Sequence, residues 1–184
     1  EASLMEDFLS DFSPMKDGFE RLWTPHRLVY LQELQQPADE DCPFCAAPDK
    51  SAEDGLVVKR GKTCFVLLNL FPYNPGHMLV CPYRHVDTYD KATNEEVAEM
   101  ALLTQHAMLT LGKVSKVEGF NIGMNQGEVA GAGIASHLHQ HIVPRWRNDA
   151  NFFPIIAETK ALPRLLGEVR SDIAQGWNDL FGKV

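Results

Sequence analysis

Short apolar runs separated by turn residues fill the middle of the chain. Residues 56–59 (LVVK) form one such run. Residues 64–70 (CFVLLNL) and 77–81 (HMLVC) are β-rich runs of strand length. Between the last two lies FPYNPG, residues 71–76, whose two prolines and glycine mark a turn. Residues 119–125 (GFNIGMN) predict another strand. Residues 137–144 (HLHQHIVP) alternate with a strict period of two and predict a further one. Thr93 followed by Glu96 is a capping-box signature, and Val97, Ala101, Thr104, Met108 and Leu111 mark one face of the helix it opens. A second helix carries Leu162, Leu165, Leu166, Val169, Ile173 and Trp177 at helical spacing. Helices flank the strands without regular β-α-β alternation. The expected fold class is therefore α+β, a mainly antiparallel sheet flanked by helices.

The domain reading follows from the same pattern. Residues 1–41 read as an N-terminal extension, in which Leu4, Phe8 and Phe12 recur at helical spacing and residues 27–34 (RLVYLQEL) are apolar enough to dock. Residues 42–150 read as the core domain, and residues 151–184 as a C-terminal helical segment packed on it. A length of 184 residues suits one globular domain with a substantial core.

Charge narrows the partners. Seventeen lysines and arginines against 25 aspartates and glutamates give a net charge of −8, which excludes broad, charge-driven nucleic-acid binding. No apolar run approaches the roughly 20 residues of a membrane span. The acidic N-terminus lacks a basic head followed by an apolar stretch, so it does not read as a secretory signal. A cytoplasmic protein is expected. The four cysteines agree: Cys42 and Cys45 form a CxxC, while Cys64 and Cys81 sit singly in apolar runs. That pattern reads as one metal or redox pair and two core residues.

The chemistry concentrates in residues 125–146 (NQGEVAGAGIASHLHQHIVPRW). On a strand, His137, His139 and His141 share one face, and Leu138, Gln140 and Ile142 take the other. Three imidazoles in register, out of seven in the chain, point to metal binding or to nucleophilic and acid–base work. The small-residue loop before them, with Gly127, Gly131 and Gly133, has the character of a phosphate-holding backbone nest. The CxxC supplies two thiolates on one turn. Zinc needs four ligands, and with no second CxxC two histidines must complete the set. An empty CxxC or a redox pair is the alternative.

These motifs together resemble the histidine-triad (HIT) superfamily of nucleotide hydrolases and transferases. The His-x-His-x-His run followed by Ile142-Val143 carries the resemblance first. Residues 69–80 (NLFPYNPGHMLV) resemble its Asn…Pro-Gly-His-apolar segment, and residues 81–86 (CPYRHV) its Pro-x-x-His stretch. The resemblance covers residues 42–150. The long C-terminal helix and the Val143-Pro144-Arg145-Trp146 end resemble the bacterial branch that acts on diadenosine polyphosphates, by hydrolysis or phosphorolysis. One departure is visible: Gln140 stands where the family prefers an apolar residue, which bears on packing behind the strand.

The resemblance implies a HIT-like fold and a covalent mechanism without an organic cofactor. His139 would attack the α-phosphorus, and His141 and His77 would stabilise charge on its oxygens. Asn69 would bind the ribose, Leu67 and Leu79 would help form an apolar base pocket, and Asn125 would contact the phosphate or leaving-group side. Gly131 and Gly133 would border the phosphates, and Arg145 and Trp146 would face the substrate. Zinc, in a structural role, would be held by Cys42, Cys45, His85 and His137. The partners implied are a nucleotide substrate and a second copy in a homodimer. Alternatives are a nucleoside phosphoramidase of the same fold, a non-catalytic nucleotide-binding protein, and a zinc module in which the histidines are all ligands.

Overall fold

Five strands form one antiparallel sheet in a computed structural model that describes residues 41–147, Asp149 and residues 164–182. The strands are β1 (Val57–Arg60), β2 (Cys64–Leu68), β3 (Met78–Pro82), β4 (Gly119–Gly123) and β5 (Gln140–Arg145), in the order β1-β2-β3-β5-β4. The helices are a single turn, α1 (Pro43–Ala46), and two long ones, α2 (Asn94–Ser115) and α3 (Leu166–Phe181). The expected features at Leu4, Phe8, Phe12, residues 27–34 and Leu162 lie outside the described residues. No helix among the described residues is long and apolar enough to cross a membrane.

The long helices cover one face of the sheet. Val66, Leu68, Met78, Val80 and Ile142 from the strands form a buried cluster with Met100, Leu103, Ala107, Leu111, Ile173 and Trp177 from α2 and α3. The buried stripe of α2 is thus rotated by one residue from the expected one, and Ala101 is exposed. Exposed Leu102 and Leu109 broaden the apolar arc of this helix, so that periodicity alone fixes its facing only to within about one residue. On α3, Val169, Ile173 and Trp177 are buried as their spacing predicts, whereas Leu165 stands exposed at the N-cap. Gly176 lets α3 lie close on α2, because a Cβ there would run into Val114.

The capping box of α2 forms as its residues predict: Glu96 N–H donates to Thr93 Oγ1, and Thr93 N–H donates to the Glu96 carboxylate. That carboxylate also takes Arg84 at 3.1 and 2.7 Å. The segment after β3 is therefore fixed to the start of α2.

The other face of the sheet carries a smaller cluster containing Cys42, Phe44, Val57, Phe65, Leu67, Leu79 and Cys81. Strand register places one row across this face: Val57, Leu67, Leu79, His141 and Gly123 are successive partners from β1 to β4. The ladder of β5 begins at Gln140, three residues later than the alternation predicts. His137 and Leu138 instead follow the chain after β3, where Leu138 N–H donates to the Val86 carbonyl at 2.6 Å.

Candidate active site and candidate metal centre

Four predicted ligands come together at the end of the sheet. The ligand atoms of Cys42, Cys45, His85 and His137 all lie within 4.8 Å of one another. His137 Nδ1 is 3.3 Å from Cys42 Sγ and 3.4 Å from Cys45 Sγ, and His85 Nδ1 is 3.2 Å from Cys45 Sγ. A tetrahedron with zinc–sulfur and zinc–nitrogen bonds of usual length has sulfur–nitrogen edges of about 3.5 Å, so this donor set fits zinc. The orientation of His137 is set from behind. Its Nε2–H donates to the Pro82 carbonyl at 3.0 Å, which leaves Nδ1 unprotonated toward the thiols. Burial keeps the ring neutral, lowering its pKa to about 4.

Cys64 and Cys81 are buried in the core, as expected of single cysteines in apolar runs. Burial pushes the Cys64 thiol up to about 11, and that of Cys81 up as well, so both are poor nucleophiles.

Two residues beyond His137 the tautomer reverses. His139 Nδ1 lies 2.8 Å from the His137 carbonyl, which can only accept, so Nδ1 carries the proton and Nε2 presents a lone pair. His139 is 5 % exposed, and burial lowers its pKa, although the bond to the carbonyl works the other way. The ring of Phe44 stands 4.9 Å away and braces it.

A relay of donors fixes the other two histidines. Tyr73 N–H donates to His77 Nδ1 at 3.1 Å, so His77 Nε2 carries the proton and donates to His141 Nδ1 at 2.9 Å. His141 therefore holds its own proton on Nε2. His77 is fully buried, and burial with His139 nearby lowers the His141 pKa to about 4. His139 and His141 rings are 5.0 Å apart.

Two cavities flank this row. One, of about 240 Å³, is lined by Phe44, Leu67, Leu79, Ile134 and Asn69 among others. Its apolar walls suit a flat ring. Asn69 at its edge donates to His77 Nδ1 at 3.3 Å and accepts from Phe71 N–H at 3.0 Å. The other, of about 370 Å³, is lined by His141, Asn125, Arg145 and Tyr73 among others. Arg145 is bound by Asp149, whose carboxyl it holds well below the usual range. Trp146 turns its indole N–H to the Ser115 carbonyl at the end of α2.

In the glycine loop, the N–H groups of Ala130, Gly131 and Ala132 bond back to the Gly127 and Glu128 carbonyls, closing the loop on itself. Gly131 has φ of +80°, and Gly133 has open space where a Cβ would stand. Gln140 points to the helical face and donates to Thr104 Oγ1 at 2.6 Å. That accounts for its departure from an apolar residue.

Phe44, Tyr73 and Ile134 were not singled out by sequence reasoning. Phe44 lies inside the CxxC and Tyr73 inside the proline-rich turn. The sequence signal of both motifs rests on their other residues, and only the folded geometry turns these rings toward the histidines.

The sequence matches the HIT domain family over residues 50–148. It is 45 % identical over 168 residues to a protein named AP-4-A phosphorylase from Mycobacterium tuberculosis (strain ATCC 25618 / H37Rv), an alignment covering 88 % of this chain and 86 % of that one. It is 35 % identical over 85 residues to the bis(5'-adenosyl)-triphosphatase of Dictyostelium discoideum, covering 46 % of this chain and 56 % of that one. Among solved structures, a zinc-bound histidine triad family protein from Mycobacterium smegmatis superposes with a TM-score of 0.62 at 25 % identity. That match covers 78 % of this chain and 97 % of the other.

Proposed function

The chain belongs to the HIT family, and on that premise we propose that it cleaves dinucleoside polyphosphates, such as diadenosine tetraphosphate, at an α-phosphorus. The observation that carries the reading is the tautomer of His139. Its Nδ1–H is spent on a backbone carbonyl, so Nε2 is a free base in a row that the two cavities flank. The identity to a protein named a diadenosine tetraphosphate phosphorylase supports the substrate class.

In this mechanism His139 Nε2 attacks the α-phosphorus, the bond to the bridging oxygen breaks, and the departing nucleotide takes the electron pair and leaves as a phosphate anion. An adenylyl-histidine remains. Oxygen of inorganic phosphate, or of water, then attacks the same phosphorus and the phosphorus–nitrogen bond breaks, freeing the histidine. His141 offers its Nε2–H to the non-bridging oxygens. Its proton is fixed there by the relay from Tyr73 N–H through His77. The apolar cavity with Leu67 and Leu79 receives the base of the transferred nucleotide, with Asn69 near its ribose. Asn125 lies on the leaving-group side, and Gly131 and Gly133 border the phosphates.

Zinc held by Cys42, Cys45, His85 and His137 has a structural role here. Bound there, it would pin α1 to the chain that carries His139. Two cysteines set among candidate metal ligands and two buried in the core, none of them paired in a disulfide, support a cytoplasmic, reducing setting. The exposed edge strand β4 supports pairing into a homodimer.

The test is incubation with diadenosine tetraphosphate, with and without inorganic phosphate, followed by product identification. ADP plus ATP marks phosphorolysis, and AMP plus ATP marks hydrolysis. Recovery of intact substrate in both arms would rule the reading out.

A further inference from the structure

The cavity of about 370 Å³ on the β4 side of His141 is larger than a phosphate group needs, and its lining does not suit a free anion. Arg145 is its cation among the described residues. Asp149 takes that guanidinium at 2.6 and 2.8 Å, and Asn121 takes a third N–H at 2.7 Å. The positive charge is committed, and the carboxylate beside it repels phosphate.

What the cavity does offer is an aromatic face with neutral hydrogen-bonding groups around it. Tyr73 is 52 % exposed, and its ring lies 15° from the plane of His141, with centroids 5.7 Å apart. Ile122 and Val143 add aliphatic wall, and Asn125 adds a carboxamide. Gly123, the β4 partner of His141, has open space where a Cβ would stand and leaves the floor clear. The turn bearing Tyr73 is held from below. Buried Asn74 donates to the Pro144 carbonyl at 2.9 Å and to Asp149 at 2.7 Å. A rigid exposed ring beside uncharged polar groups is the chemistry that takes a nucleobase and ribose, because every base has a π-face.

We propose that this cavity seats the second nucleoside of a dinucleoside polyphosphate, with its base stacked on Tyr73. The inference rests on the proposed cleavage reaction and adds to it the position of the leaving nucleotide: one base lies in the apolar cavity, the other on Tyr73, and the polyphosphate crosses the histidine row between them.

Comparing diadenosine tetraphosphate with adenosine 5'-tetraphosphate isolates this site, since both carry the same phosphate chain and only the first has a second nucleoside. Tyr73→Leu is expected to lower the ratio of kcat/KM for the two substrates about tenfold, mainly through KM of the diadenosine compound. Tyr73→Phe, which keeps the ring, should hold the ratio within about twofold. Any loss common to both substrates reports the packing of Tyr73 on His77 and His141 and leaves the ratio unaffected. An unchanged ratio in Tyr73→Leu overturns the inference. If the unaltered protein cleaves neither compound, the reaction reading fails by itself. Calorimetric binding of the two compounds to the same three proteins then decides the inference on the ratio of affinities.

Discussion

His137 and His139 are two residues apart, both buried and both fastened to a backbone carbonyl, yet they are prepared for opposite work. His137 spends Nε2–H on Pro82 and turns Nδ1 to two thiols. His139 spends Nδ1–H on His137 and leaves Nε2 unprotonated. The imidazole is the same, and the carbonyl behind it decides which nitrogen is available. The structural end and the proposed reactive end are thus one segment of chain, joined through the carbonyl of His137 itself.

That division of labour can be broken from either end. His139→Ala should have the largest effect. Adenylyl transfer is expected to fall about 10⁴-fold or more, with zinc content and Tm little changed, as single-turnover assays and metal analysis would record. A comparable loss of zinc would mean that the two ends are not separable. Cys42→Ser, or removal of zinc by a chelator, should act in the reverse sense. Thermal scans are expected to show destabilisation by several kcal/mol, with activity lost as a consequence.

His141→Gln replaces the donor that His77 holds in place with a flexible amide and should reduce kcat about 10²-fold while leaving the metal content intact. It should also change the acid limb of stability. The folded pKa of His141 is about 4 against an ordinary 6.5, so between those values the unfolded chain binds more protons. Stability should therefore fall as the pH drops from about 6.5 toward 4, and denaturant titrations of the Gln variant should show a shallower fall. The smallest effect is expected from Gln140→Leu on the opposite face. Its bond to Thr104 is lost, but Thr104 still donates to the Met100 carbonyl, so stability should change by less than about 1 kcal/mol.

Much of this site was legible in the sequence, because its chemistry is carried by spacing. Spacing pairs the thiols of Cys42 and Cys45, and the family resemblance adds His85 and His137 to the candidate metal set, which the fold brings together. The period of two puts the histidines on the opposite face from Gln140. The sheet was legible for the same reason, since its strands are short apolar runs between turn residues. Other features depended on tertiary partners. The ladder of β5 starts at Gln140 because His137 and Leu138 find their partners at Pro82 and Val86, far away in the chain. The facing of α2 depended on which of two neighbouring stripes met the sheet. The tautomers of all three histidines follow from carbonyls and N–H groups that no side-chain pattern announces. The sequence reading sets Arg145 toward the substrate, and only the turn after β5 brings Asp149 back onto it.

The row running from Val57 through Leu67, Leu79 and His141 to Gly123 also governs which insertions and deletions the gene can accept. One residue added between His139 and Gln140 would exchange Gln140 and His141 between the two faces of the sheet, because side-chain direction in a strand has a period of two. The same residue added to the looped segment between β4 and His137 would leave every strand partner unchanged. Length variation among descendants of this sequence should therefore accumulate before the histidines and stop at them.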